Sequence, residues 1–195
     1  MYTDVSALVT SVMDGFNVCI FAYGQTGSGK THTMAGPASD RGVNTRALEE
    51  LFSKSRSRED EFHDSVTLSI LEVYNEEIRD LLVDGGSDRL EIRQGEHGNH
   101  VPGLTECGVS SIEDVFNLFG QAERNRATAS TNMNEHSSRS HMMLTINVVS
   151  ENIRTGATSR GKLNLVDLAG SERINKSGAT GQALKEAQNL SLIHI

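Results

Sequence analysis

The chain has 195 residues, enough for one ordinary domain and too few for two comfortable ones. Its 36% hydrophobic and 23% charged residues suit a folded soluble chain, and no run approaches the roughly 18 apolar residues needed to cross a bilayer, so no membrane role is expected. The formal net charge of -8 argues against a nucleic-acid binder, whose phosphate contacts need clustered Lys and Arg.

Val5, Leu8, Val9, Val12 and Met13 fall at helical spacing behind the capping residues Thr3 and Asp4, and Gly15 stops the run. This N-terminus lacks the basic start and small-residue cleavage site of a secretory signal. Cys19 and Cys107 form no metal motif and sit in apolar, strand-like stretches, which reads as reduced cytosolic thiols. Residues 17–23 form a near-continuous apolar run, the pattern of a strand covered on both faces.

Val43, Ala47, Leu48, Leu51 and Phe52 predict a second helix, with SKSRSREDEFHDS after it as an exposed connection. Val66, Leu68 and Ile70 alternate as a strand running on through LEVY, and EEIRDLL reads as a short helical turn. The glycine-bearing segment LVDGGSDRLEIRQGEHGNHVPGL predicts short strands with turns. Ser110 with Glu113, or Ser111 with Asp114, makes a capping box before a helix carrying Val115, Phe116, Phe119 and Ala122. Leu144, Ile146 and Val148 mark a strand, and RTGATSRG turns it into a last one over residues 162–168. Strands alternating with helices early and pairing as a hairpin late predict an α/β sheet, mostly parallel with antiparallel parts.

Chemistry concentrates in three runs. Residues Gly24, Gln25, Thr26, Gly27, Ser28, Gly29, Lys30 and Thr31 spell GQTGSGKT, a full match to the phosphate-loop pattern between an apolar strand and a helix start. That context turns backbone N–H groups toward one anion, lets Lys30 reach the β- and γ-phosphates and puts the Thr31 hydroxyl on Mg²⁺. A glycine-rich turn also serves as a plain strand-to-helix connection; the complete match with both flanks favours the phosphate. KLNLVDLAG ends a strand on Asp167, where a Walker-B carboxylate stands at the sheet's carboxyl edge, and the bare N–H of Gly170 follows to meet a terminal phosphate. Asn134 to His141, NEHSSRSH, groups hydroxyls and an amide beside an arginine; on composition alone it is a capped loop, and its histidines are poorly spaced for zinc.

Together GQTGSGKTHTM, NEHSSRSH and LVDLAGSER resemble the phosphate loop, switch I and switch II of kinesin motor domains. The likeness runs from DGFNVCIFAYGQTGSGKT through ILEVYNEEIRDLL and HVPGLTE to GQALKEAQN, and the wording of SSIEDVFNLF and TSRGKLNLVDLAGSER looks most like the C-terminal-motor, kinesin-14-like group, typically minus-end directed. The resemblance implies a P-loop NTPase three-layer sandwich with helices on both faces of the sheet. It implies ATP and Mg²⁺ as ligands: Lys30 and the loop amides on the phosphates, Thr31 and Ser138 on the metal, and Asp167 supporting it through water. Ser137 and Asn134 would position the attacking water, Gly170 would sense the γ-phosphate, and Arg139 would pair with Glu172, which relays a proton. His32 is expected beside the adenine, although on its residues alone it is equally a solvent-facing helix position.

Residues 154–185 hold six Lys and Arg against Asp167 and Glu172, whereas residues 49–96 hold fourteen acids against six bases. A kinesin's track is the acidic microtubule, so Arg173, Lys176 and Lys185 are candidate tubulin contacts; ordinary solvated bases are the competing reading. The family's first strands precede anything seen here, and after Asn189 the likeness stops at LSLIHI, so a partial motor domain over residues 1–189 with a non-matching tail is expected. Such a piece is expected to hydrolyse weakly by itself, with any dimerising coiled coil lying outside it. Two other readings stay open. A GTPase switch shares the phosphate loop, but NKSG at residues 175–178 lacks the acid of N-K-x-D. A motor-derived module could grip microtubules without turnover, against which stand the intact Lys30, Thr31, Ser137, Ser138, Asp167 and Glu172.

Overall fold

A computed structural model describes residues 2–37, 39–84, 90–95, 98–128 and 137–172. The first helix, α1 (Tyr2–Met13), buries Val5, Val9, Val12 and Met13 along one stripe. It ends because Gly15 takes a left-handed φ of 96°, which lets the Gly15 amide donate to Val12 O and the Phe16 amide to Ser11 O, closing the orphan carbonyls. Strand β1 (Asn17–Ala22) follows, then the five-residue helix α2 (Lys30–Met34) and the longer α3 (Val43–Ser57). Strand β2 (Phe62–Tyr74) turns into β3 (Glu77–Asp80), and the short β4 (Arg93–Gly95), β5 (Gly98–His100) and β6 (Cys107–Gly108) lead to α4 (Ile112–Thr128). Two long strands close the described chain, β7 (Ser140–Asn152) and β8 (Thr158–Asp167).

The sheet runs β1-β8-β7-β2-β3, with β6 also on β2. Two rows of apolar side chains cross it in register, Val18–Leu163–Ile146–Leu68 and Ile20–Leu165–Leu144–Ile70. The β8, β7 and β2 members of these rows are essentially inaccessible to solvent and pack in one cluster with the buried stripes of α1, α3 and α4. Truncating one of them, as in Leu68→Ala, is expected to cost about 2–5 kcal/mol. Alpha-helix α1 lies so close to β8 that a Cβ on Gly161 would strike the Val12 carbonyl, so only glycine admits this packing.

Several local expectations change. Among the described strands only the β1–β8 pair is parallel, where a mostly parallel sheet was expected: the pairs β8–β7, β7–β2, β2–β3 and β2–β6 are antiparallel. Within EEIRDLL, Glu77–Asp80 is a strand rather than a helical turn, because Asn75 and Glu76 both take positive φ, 50° and 64°, the geometry of a two-residue hairpin turn that folds β3 back on β2. Helix α3 continues through SKSRS, with Lys54 and Arg56 favourably placed in its last turn, leaving only residues 58–61 as the connection. Strand β1 is covered on one face rather than both: Val18, Ile20 and Ala22 pack on the core, while Phe21 is 59% exposed. Of the three layers, the described residues contain the sheet and the helices on one face. Of the two capping boxes the structure uses the second: the Asp114 amide donates to Ser111 Oγ at 3.2 Å and the Ser111 amide to Asp114 Oδ2 at 3.0 Å.

Candidate functional site

Topology brings the three runs to one edge. Because β1 and β8 are parallel and paired Ala22 to Asp167, both chains leave the sheet side by side, one into the phosphate loop and the other into Leu168–Gly170. Strand β7 runs the other way, pairing Met142 with Asp167, so it enters the sheet at this edge straight from the helical turn at residues 137–139. Ligands of open α/β sheets gather outside such carboxyl ends.

In the phosphate loop, Gln25 to Gly29 are exposed, and Gly27 and Gly29 take left-handed φ of 78° and 88°. Glycine is required there because an L side chain disfavours that backbone. The turn is closed by the Ser28 amide on Gln25 O at 3.1 Å. No backbone hydrogen bond ties the amides of Gly27, Gly29, Lys30 and Thr31 to another described residue, which leaves donors in the loop for an anion. Alpha-helix α2 is too short for its dipole to add much, so the cradle is made chiefly by loop amides. Lys30 Nζ donates back to the carbonyls of Gly24 at 2.9 Å and Gln25 at 3.1 Å. His32 is exposed on α2.

The carboxylates close around this loop. Thr31 Oγ1 donates to Asp167 Oδ2 at 2.6 Å, while Asp167 Oδ1 is buried without a hydrogen-bond partner. A buried carboxylate oxygen left unsatisfied beside a hydroxyl is the donor set a hard divalent cation requests, so these residues fit Mg²⁺. Gly170 donates its amide to Ser138 O at 2.8 Å, Ser171 donates its amide to Gly24 O at 3.1 Å, and Ala169 donates to His141 Nδ1 at 3.0 Å. LVDLAGSER therefore touches each of the other two runs directly. A Cβ on Gly170 would meet the Glu172 carboxylate and the Thr26 hydroxyl, so a larger residue there would push these two side chains aside.

Glu172 differs from expectation. Its carboxylate accepts from the Thr26 amide at 2.9 Å and from the Thr26 hydroxyl, rather than pairing with Arg139. Partial burial pushes this carboxyl up, but the Thr26 donors and the nearby Lys30 charge outweigh it and hold the group below its ordinary range. An anion thus already rests on one amide of the phosphate loop. Burial pushes the His141 imidazole down against the opposing pull of Asp167, which suits a neutral ring whose Nδ1 accepts from Ala169.

The structure brings together Gly24, Thr26, Lys30, Thr31, Ser138, Asp167, Gly170 and Glu172; Gln25, Gly27, Ser28 and Gly29 complete the loop and Ser137 and Arg139 flank it. Asn134, Arg173, Lys176 and Lys185, together with the tail 190–195, lie outside the described residues. Three groups were not singled out as acting here: His141 as an acceptor for Ala169, Ser171 as a tie to Gly24, and the buried pair Arg126–Glu72 just behind Ser140. The last had a signal. A glutamate falls in step with Val66, Leu68 and Ile70 on the core face of β2, and an arginine falls four residues after the buried Ala122.

Comparison with known proteins agrees with this geometry. The Kinesin motor domain family model matches residues 1–194. The rice (Oryza sativa subsp. japonica) Kinesin-like protein KIN-14E is 54% identical over 193 residues, covering 98% of this chain and 18% of its own length. The motor domain of the Saccharomyces cerevisiae kinesin-related protein Kar3 superposes with a TM-score of 0.83 at 43% identity, covering 97% of this chain and 57% of that one. The C-terminal motor and motor homology domain of Kar3Vik1, fused to a synthetic heterodimeric coiled coil, gives a TM-score of 0.86 at 41% identity over 97% of this chain and 48% of that one. The chain thus spans under a fifth of the rice relative and about half of each solved motor chain. With the phosphate loop, Asp167 and the Ser138–Gly170 contact in place on a matching fold, the chain belongs to the kinesin motor domain family, alongside members of its kinesin-14 group.

Proposed function

We propose that this chain is the ATP-hydrolysing part of a microtubule motor, minus-end directed in the intact protein. The observation that carries the reading is the contact of three distant runs at one sheet edge, with Thr31 on Asp167, Ser138 on Gly170 and Glu172 on Thr26. Lys30 and the loop amides bind and orient the triphosphate. Thr31, Ser138 and Asp167 would hold Mg²⁺, which when bound would neutralise charge on the phosphates. Ser137 and Asn134 place the attacking water, and Gly170 reads the terminal phosphate through its amide. Glu172 leaves Thr26 when that phosphate arrives, pairs with Arg139 and accepts a proton through water. Positioning and electrostatics supply most of the acceleration, because phosphoryl transfer asks little covalent chemistry of the protein.

The basic residues Arg173, Lys176 and Lys185 face an acidic microtubule in this account, which places the protein on the cytoskeleton, and a coiled coil outside this chain makes the dimer. The test is nucleotide turnover by the full-length protein with and without microtubules. ATP hydrolysis that microtubules accelerate, and that GTP does not match, supports the reading; nucleotide binding without microtubule-dependent turnover would instead establish a non-hydrolysing binding module.

A further inference from the structure

Glu72 is fully buried on the core face of β2, a place that charged residues occupy only when paired. Its partner is Arg126, in the last turn of α4, with Nε donating to Glu72 Oε1 at 2.8 Å. A buried ion pair is a poor source of stability compared with apolar packing, so energy alone does not explain this one. Its position is more telling. The same guanidinium donates through Nη2 to Ser140 Oγ at 2.8 Å and reaches Met142 Sδ at 3.9 Å. The chain leaves α4 at Thr128 and re-enters the sheet at Ser140, and the segment between these points carries Asn134, Ser137, Ser138 and Arg139. Arg126 belongs to the departing side and holds the returning side. Its anchor, Glu72, stands in the cross-strand row Glu72–Met142–Asp167, so the clamp is fixed to the row that carries Asp167.

Resting on the ATPase reading above, we propose that Arg126 is a positioning residue for hydrolysis: by joining Glu72 to Ser140 it sets where Ser137 and Ser138 stand relative to Asp167 and Gly170. The Ser138 carbonyl accepts the Gly170 amide at 2.8 Å, so a shift of Ser138 moves the phosphate-sensing amide with it. Small misplacements of this kind are costly in rate while leaving substrate affinity, which the phosphate loop supplies, in place.

The Arg58–Asp64 pair is the internal control. It is equally buried on its acidic side, at 1% exposure against 0% for Glu72, and it holds Ser150 in the same way, but at the far end of β7. The experiment measures melting temperature, kcat and ATP KM, with microtubules, in the full-length protein and in Ser140→Ala, Arg126→Lys and Asp64→Asn. Ser140→Ala leaves the ion pair intact and is expected to lower kcat roughly tenfold, with KM within about twofold and melting unchanged. Arg126→Lys keeps the charge facing Glu72 but cannot span to Ser140, so it keeps the parent's melting temperature while kcat falls as in Ser140→Ala. Asp64→Asn does the reverse, lowering melting while the folded protein turns over normally. Wild-type kcat in Ser140→Ala or in Arg126→Lys overturns the proposal alone; absence of ATP turnover in the wild-type protein overturns the ATPase reading and the proposal with it.

Discussion

The long β2–β7 pair carries polar clusters at both ends, and they are built to opposite purposes. At the far end, Arg58 grips Asp64 with two donors at 2.9 and 2.6 Å, reaches Ser150 Oγ at 2.7 Å and Met13 O at 3.3 Å, and lies over the Phe62 ring at 4.7 Å. Helix α1, the end of α3, β2 and β7 are all pinned by one side chain, and each of its partners is satisfied within the protein. At the near end the Glu72–Arg126–Ser140 cluster is likewise paired, but the groups of the phosphate loop and of the end of β8 just beyond it are not fully so. Lys30 rests on two carbonyls of its own loop, Asp167 keeps one buried oxygen unpaired, and Glu172 covers a loop amide. One sheet thus separates groups that finish their bonding on folding from groups that hold bonding capacity for a ligand.

Substitutions that attack each end separately should show that division. The largest effect is expected from Lys30→Ala, which should lower ATP turnover about 100-fold or more by removing a charge aimed at the phosphates. Its melting temperature should hardly move, because this side chain holds only loop carbonyls; equal loss of stability and activity would erase the distinction between the two ends. At the far end, Asp64→Asn strands a guanidinium and should cost about 3 kcal/mol in denaturant titration, with turnover of the folded protein unchanged.

The pH dependence sharpens the same contrast. Burial pushes the Asp64 carboxyl up, but the Arg58 and Ser150 hydrogen bonds and the Arg58 charge outweigh it and hold it below the usual carboxylate range. A group with a depressed folded value stabilises the fold fully above its unfolded value, about 4, and loses that contribution as pH falls through the folded value. Acid unfolding curves should therefore steepen below about pH 4 in the parent and flatten in Asp64→Asn. The smallest effect belongs to neither end. Ser111→Ala removes one half of the α4 capping box and should cost about 1 kcal/mol, read as a small drop in melting temperature with turnover kept.

What could be read from residues alone follows the range of the interactions. The phosphate loop, Asp167 and Gly170 were legible because each is a short run whose neighbours state its context, strand before and helix or turn after. The β2–β3 hairpin was not, since Asn75 alone favours the left-handed region its turn uses, while Glu76 adopts it only because β3 gains β2 as a partner. Exposure of Phe21 was equally hidden: an apolar run states that a strand can be covered on both faces, not which face is. The longest-range contacts were the least visible. Glu172 sits 146 residues from Thr26, and Arg126 sits 54 from Glu72. The second pair nevertheless left a trace, a charge of each sign at core-facing positions of a strand and a helix, and such paired irregularities mark where a fold departs from simple burial.

The central claim is that Glu172 changes partner: it accepts from Thr26 of the phosphate loop here and serves hydrolysis once nucleotide binds. The direct test is nucleotide binding and microtubule-stimulated hydrolysis by full-length Glu172→Ala. The account predicts ATP affinity equal to or tighter than that of the parent, since a competing carboxylate has left the Thr26 amide, together with loss of cleavage. Hydrolysis at the parent's rate, or weakened ATP binding, would contradict it.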